Sequence, residues 1–156
     1  MCQIPSNWDL RFDVRPGAQT VTFLGNMPVL EPLPHIVFVV LGENDIGTIS
    51  PYVIVNNLIR LVDYFLRSGV LAVCVGSMFP RTRPHGLGRA QYARMARTVN
   101  RELARVFSAS EGVFFCNFLR FRGMYLGSDG VHLTPSGQLW LLSQIVLHVS
   151  RIIGER

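Results

Sequence analysis

Short apolar runs alternate with longer amphipathic stretches along this chain, and no other feature of the sequence restricts the fold as strongly. The runs His35–Leu41 and Val70–Val75 have the length and composition of strands that are buried on both faces, and Val113–Cys116 is predicted as a short strand. The stretches between them have the spacing of helices that pack one face against a core. Buried strands alternating with such helices predict an α/β domain, in which an open parallel sheet carries helices on both faces.

Helix boundaries can be read from capping residues and from apolar spacing. Ser50 and Thr134 are each followed by proline, which predicts two helix starts with a hydroxyl N-cap. The first of these helices should end at Ser68-Gly69, and the last should pack its leucines and β-branched residues inward. A third helix is predicted over Arg89–Phe107, and a weaker alternating pattern over Trp8–Val14 predicts an additional strand. The predicted inner stripe of the third helix consists of Tyr92, Met95, Ala96, Val99, Leu103 and Val106.

Composition indicates one globular domain over residues 1–156. Apolar residues make up 49% of the chain and charged residues 16%, which excludes a disordered tail or a charged coiled coil.

The sequence shows neither a membrane-spanning stretch nor a secretory leader after Met1, which favours a cytoplasmic or nuclear location. Three cysteines without CxxC spacing, Cys2, Cys74 and Cys116, predict neither disulfides nor a metal site, and no cofactor is expected.

All 15 basic side chains are Arg. Arg binds planar anions through two parallel hydrogen bonds and stacks on bases, so RNA and anionic lipid are candidate partners. A solvated helix surface is the simpler explanation of the same pattern, and both interpretations stay open. The candidate contact residues are Arg81, Arg83, Arg94, Arg97, Arg101 and Arg105.

Polar clusters lie where a parallel sheet forms its ligand sites, at the carboxyl ends of strands. Asn44 and Asp45 follow the run that ends at Leu41, and Gly17 follows the predicted strand Trp8–Val14. An Asn side-chain amide and a Gly backbone N–H that converge can bind an oxyanion. Each cluster also has a purely structural explanation, because Gly17 fits a plain turn and Asn44 can cap nearby backbone.

A second kind of chemistry is indicated just before the last helix, where Asp129 and His132 lie three residues apart. An imidazole can take a proton from a nucleophile while a neighbouring carboxylate fixes its tautomer and stabilises the imidazolium. The same residues can instead form an Asp-Gly turn beside a histidine that is only a satisfied polar residue near the helix start. The pair alone therefore does not show whether it is catalytic or structural.

Two blocks of the sequence resemble the SGNH (GDSL-like) hydrolase superfamily. Gly42-Glu43-Asn44-Asp45 is similar to its Gly-x-Asn-Asp block, and Asp129-Gly130-Val131-His132-Leu133 to its Asp-x-x-His-Leu block. The resemblance, from about Trp8 to the end, implies a flavodoxin-like fold and Ser-His-Asp hydrolysis of a small ester. It implies Asn44 and Gly17 as the oxyanion hole, His132 as general base and Asp129 as its partner. The segments Gly76–Arg81 and Tyr92–Asn100 resemble esterase-like domains in the first open reading frame of some non-LTR retrotransposons.

The family's nucleophile, a Ser in a Gly-Asp-Ser block, has no counterpart here. Ser6 precedes the first predicted strand instead of following one. We therefore expect an N-terminally truncated domain without the family's first strand and helix, and a pseudoenzyme rather than an active esterase. Loss of that strand should expose about three or four apolar side chains, each worth about 1.5–3 kcal/mol, unless the sheet pairs differently. A non-catalytic Arg-rich binding module is the alternative.

Overall fold

The computed structural model describes residues 3–154, so Cys2 lies outside the described residues. Helices and strands alternate along the described chain as the apolar pattern predicts. The helices are Thr20–Gly25 (α1), Pro51–Arg67 (α2), Arg89–Phe107 (α3) and Pro135–Gly154 (α4), and the strands are Ile36–Val39 (β1), Ala72–Gly76 (β2) and Val113–Cys116 (β3). Two short 3₁₀ turns lie at Glu43–Asp45 and Gly123–Tyr125.

The three strands form one parallel sheet in the order β1-β2-β3. Phe38 of β1 lies opposite Cys74 of β2, which in turn lies opposite Phe114 of β3. Parallel neighbours place all three carboxyl ends at the same edge, so the loops after β1, β2 and β3 are close together. This is the edge at which the polar clusters are expected.

Helices cover both faces of the sheet, which confirms the predicted α/β architecture. Helices α2 and α3 pack on the face where Val73 and Val75 have no exposed surface. Helix α4 covers the opposite face, where Ile152 joins Cys74 and Cys116 in a second buried cluster. Because side chains alternate between faces along a strand, β2 supplies both cores.

Helices α2 and α3 begin and end close to the predicted positions. Ser50 accepts a hydrogen bond from the backbone N–H of Val53 at 3.3 Å, with proline at the first helical position. In α4, however, Leu139 was expected to be buried and is 63% exposed. The inward face carries Trp140 and Gln144 instead, because their side chains hydrogen-bond the backbone of Leu119.

The predicted strand at Trp8–Val14 is wrong, since this segment has no regular secondary structure. Phe12 and Val14 are 70% and 78% exposed, although the alternating pattern assigned both to a buried face. A strand needs a hydrogen-bonded neighbour, and in the predicted topology the neighbour would be a strand that residues 3–154 do not contain. Alternation alone does not form a strand without that partner.

The unfilled neighbour position also explains the burial of β1. Within residues 3–154, β1 pairs with β2 alone, and Ile36, Val37 and Phe38 are half-buried rather than buried. The expectation of burial on both faces is therefore wrong for β1 and correct for β2. No described segment closes this edge by a different pairing.

Candidate active site

Gly17 lies in a tight turn directly before α1. The N–H of Ala18 donates to the carbonyl of Arg15 at 3.1 Å, with Pro16 and Gly17 at the two central positions. Gly17 has φ +69°, a backbone conformation that favours glycine at this turn position. The turn follows an irregular segment, so the expectation that Gly17 ends a strand is wrong.

The Gly17 turn and the Asn44 turn are joined by side-chain hydrogen bonds. Asn44 Nδ2 donates to the carbonyl of Ala18 at 3.0 Å. The carboxylate of Asp45 accepts from the backbone N–H and the hydroxyl of Thr20, both at 2.9 Å. The two clusters that the sequence predicts at the ends of different strands are therefore in contact.

Asp45 anchors this junction from inside the protein, where its side chain has no exposed surface. Burial raises the pKa of its carboxyl above the usual range, and the two hydrogen bonds from Thr20 act in the opposite direction. Asn57 of α2 extends the network by donating to the Thr20 hydroxyl at 2.9 Å. The second residue of the Asn-Asp pair thus holds the first in place.

Asp129 and His132 form a hydrogen-bonded pair on the turn before α4. Asp129 Oδ2 lies 2.6 Å from His132 Nδ1, while Oδ1 accepts from the N–H groups of Val131 and His132 at 2.9 and 3.0 Å. The His132 bond, followed by the two backbone bonds, lowers the pKa of the Asp129 carboxyl well below its usual range. The His132 side chain is 81% exposed, so it faces solvent and not the interior.

A short segment after β2, residues 81–83, contacts both Asn44 and the turn that carries His132. The N–H groups of Thr82 and Arg83 donate to the carbonyl of Gly130 at 3.0 and 3.3 Å. Arg81 Nη2 donates to Asn44 Oδ1 at 2.8 Å. Residues 81–83 therefore connect the oxyanion candidate Asn44 to the turn that carries His132.

Arg81 is predicted from the sequence only as a contact for RNA or anionic lipid, and its place beside Asn44 is not predicted. Its contact partner is 37 residues away in the chain, so no local pattern identifies it. Its position after a buried strand was the one available signal. Of the other candidates, Arg105 and Arg101 lie 2.8 and 3.9 Å from Glu102, and Arg83, Arg94 and Arg97 are exposed; none of these contacts supports a nucleic-acid or lipid surface.

Replacing Gly130 with Ala should lower the free energy of unfolding by about 3 kcal/mol, because the added Cβ would lie 2.7 Å from the Arg83 nitrogen. Gly86 is a matched control, since it has a similar φ of +71° and open space around its Cα. Gly86→Ala should cost about 1 kcal/mol, the backbone contribution alone. Urea denaturation of both variants measures the difference, and equal losses would show that the turn at Gly130 does not pack against residues 82–83.

The loop that carries Arg81 is held at three points. The side-chain amide of Asn100 bonds both the N–H and the carbonyl of Met78, at 2.7 and 3.3 Å. The Tyr92 hydroxyl donates to the carbonyl of Phe79 at 3.0 Å. Ser77 Oγ accepts from the N–H of Phe118 at 2.8 Å. These contacts fix the direction in which the chain leaves β2.

Glu43 is an unexpected buried acid next to Asn44. Burial raises the pKa of its carboxyl to about 7, although its own N–H, the Arg81 guanidinium and the N–H of Phe79 all act to lower it. Within residues 3–154, Glu43 Oε2 and Arg81 Nε are buried without a hydrogen-bond partner. Since most buried polar groups are paired, two unpaired atoms on side chains close enough to interact electrostatically are unusual.

The serines of the described chain do not supply an obvious nucleophile. Ser77 is buried and bonded to the backbone of Phe118. Ser6 lies in an exposed turn, and Ser128 is exposed beside Asp129. Within residues 3–154, no serine hydroxyl hydrogen-bonds His132.

Residues 3–154 contain no group of three or more acidic, His or Cys side chains arranged for a metal ion. The same residues contain no helix long and apolar enough to cross a membrane.

Solved esterases and lipases share this architecture. An acetyl esterase mutant with an acetate ion superposes with a TM-score of 0.77 at 20% identity, over 99% of this chain and 77% of that chain. A family 3 carbohydrate esterase from Talaromyces cellulolyticus gives 0.70 at 20% identity, over 100% and 81%. The chain has the SGNH hydrolase fold. A GDSL-like lipase from Bacteroides thetaiotaomicron gives 0.69 at 18% identity, over 87% of this chain and 73% of that chain.

Structural matches at such low sequence identity show that the chain shares the SGNH fold, but they do not show its activity. No family model and no curated protein matches the sequence. The sheet of residues 3–154 comprises the strand before Asn44 and the two strands that follow it, without the strand expected at Trp8–Val14. The chain spans 73–81% of the lengths of these three solved structures.

Proposed function

We propose that this chain carries the oxyanion-binding and proton-transfer parts of an ester-hydrolase site. His132 is the general base and Asp129 its orienting partner, while the Asn44 amide and the Gly17 N–H bind the oxyanion. The observation that carries the proposal is that residues 81–83 contact both Asn44 and the turn that bears His132, while Asn44 contacts the Gly17 turn through the Ala18 carbonyl. Small esters, such as acetyl esters, are the expected substrates, in keeping with the acetyl esterase of the same fold.

The proposed chemistry follows from the hydrogen bonds of the pair. With Nδ1–H donated to Asp129, the Nε2 lone pair of His132 is available to take a proton from a serine hydroxyl. The serine oxygen attacks the ester carbonyl carbon, and the negative charge on the carbonyl oxygen is bound by the two N–H donors. His132 then returns the proton to the departing alcohol oxygen, and water hydrolyses the acyl-serine by the reverse sequence of proton transfers.

The serine must come from a strand that pairs with the outer edge of β1. That edge is unpaired within residues 3–154, and its side chains are half-buried. A strand there would end beside Asn44 and would give the segment Trp8–Val14 the neighbour that it lacks. We propose that the chain of residues 1–156 alone does not turn over esters, because an oxyanion site without a nucleophile gives little catalysis.

Addition of a segment with a Gly-Asp-Ser strand and its following helix should create p-nitrophenyl acetate hydrolysis that depends on His132. The matched control carries Ala in place of the added Ser, and both forms are compared with the chain of 156 residues. Only the Ser form should exceed the buffer rate. A His132-dependent rate in the unextended chain, or equal rates in the Ser and Ala forms, would contradict the proposal.

A further inference from the structure

Arg81 makes a contact whose geometry bears directly on the Asn44 amide. Its Nη2 donates to Asn44 Oδ1 at 2.8 Å, and Asn44 Nδ2 donates to the Ala18 carbonyl at 3.0 Å. Rotation of the amide by 180° would turn its NH₂ group toward the guanidinium and its oxygen toward a carbonyl. Both contacts would then be repulsive, since a guanidinium only donates and a carbonyl only accepts. The two contacts therefore specify one amide orientation.

We propose that Arg81 is a positioning residue, which holds the Asn44 amide with its N–H groups toward the Gly17 turn and strengthens them as donors. A hydrogen bond from a cation to the amide oxygen draws electron density from the nitrogen, so the Nδ2–H bonds become more positive. The catalytic consequence of this positioning rests on the proposed function of Asn44 as an oxyanion donor. The positioning itself does not.

The environment of Arg81 fits a functional role better than a stabilising one. Its Nε is buried without a partner, and the neighbouring buried carboxylate of Glu43 also keeps one oxygen unpaired within residues 3–154. Burying incompletely paired charges costs stability, and well-packed apolar residues would serve the core better. Side-chain arrangements that lower the stability of the fold in this way are expected at functional sites.

The loop leaves Arg81 little freedom to point elsewhere. Its guanidinium carbon lies 5.9 Å from the centre of the Tyr92 ring, and the Tyr92 hydroxyl holds the loop by its bond to the Phe79 carbonyl. Asn100 fixes the backbone of Met78 just before. An Arg whose backbone and ring neighbour are both anchored can orient its partner precisely enough for catalysis.

Hydrogen exchange of side-chain amide groups, measured by NMR on the unmodified chain, tests the proposal. Asn56 is exposed and serves as the unprotected reference, while Asn57 donates to buried Thr20 and serves as the protected one. The Asn44 NH₂ protons should exchange as slowly as those of Asn57, within about tenfold. Exchange of Asn44 at the rate of Asn56 would overturn the proposal without any variant.

Arg81→Met should accelerate Asn44 exchange by about 10- to 100-fold, the effect of losing one charged hydrogen bond. Arg81→Lys should restore part of the protection, because an ammonium still donates. Arg83→Met is the matched control, since Arg83 is exposed and contacts Gly130 only through its backbone. Asn57 and Asn100 should keep their exchange rates in all three variants, which separates loss of positioning from loosening of the fold.

Unchanged Asn44 exchange in Arg81→Met would overturn the positioning role. In the Ser-extended form, Arg81→Met should lower kcat for p-nitrophenyl acetate by about tenfold or more, with little change in KM, because an oxyanion donor acts in the transition state. Faster Asn44 exchange with an unchanged kcat would support the positioning and contradict the proposed function of Asn44, so the two can fail separately.

Discussion

In the Ser-extended form of the protein, His132→Ala should lower kcat for p-nitrophenyl acetate by about 10⁶-fold. The base is then lost altogether, and neither Asp129 nor any other described group hydrogen-bonded to the pair can take its place. Asp129→Asn should cost less, about 10⁴-fold, because the Asn side chain keeps the shape of the turn but holds the imidazole in the wrong tautomer. Steady-state kinetics with active-site titration measures both losses.

A matched control is His35→Ala, since His35 is exposed at the opposite end of the sheet, just before β1. It should leave kcat within about twofold of the parent, as expected for a surface substitution away from the site. If His35→Ala and His132→Ala reduced the rate equally, or if Asp129→Asn were without effect, the assignment of base and partner would be wrong.

The free energy of unfolding should fall by about 3 kcal/mol between pH 4.5 and 7 because of Glu43 alone, the equivalent of its pKa change. Burial raises the pKa of Glu43 from 4.5 to about 7 in the folded protein. A raised folded-state pKa means that the folded state holds the proton more tightly, so the contribution is complete below pH 4.5. It decreases as pH rises toward 7, and it is constant above that pH.

Glu43→Gln should remove this pH dependence, because the amide stays neutral in both states. Glu111→Gln is the control, since Glu111 is exposed on the surface. The comparison of urea unfolding in wild type and variant cancels groups that titrate in the same range, including half-buried His148, whose pKa burial lowers. A difference between wild type and Glu43→Gln that stays constant from pH 4.5 to 8 would contradict the raised pKa of the buried Glu43 carboxyl.

The apolar periodicity of the sequence predicts much of this fold, because the residues that β2 and α3 bury lie close together in the chain. Helix α3 begins and ends at the predicted Arg89 and Phe107. Trp8–Val14 shows where such reasoning stops, since its alternation is that of a strand but pairing depends on a neighbour elsewhere in the sequence. An alternating pattern indicates which side chains of a segment would be buried, but it does not show whether a neighbouring strand is available to pair with it.

The candidate site divides in the same way. Asp129 and His132 lie three residues apart, so their contact can be expected from the sequence alone. Arg81 and Glu43 could not be identified, because their roles arise from contacts between loops that follow different strands. Only the three-dimensional structure shows the contact of Arg81 with Asn44 and the burial of Glu43.

The state of the His132 ring is the most direct test of the whole account. Nitrogen-15 chemical shifts of the neutral imidazole report which nitrogen carries the proton. We expect a protonated Nδ1, donated to Asp129, and an unprotonated Nε2 with its lone pair free, and Asp129→Ala should abolish this preference. A proton on Nε2, or equal populations of both tautomers in the unmodified chain, would mean that His132 is not prepared to act as a base.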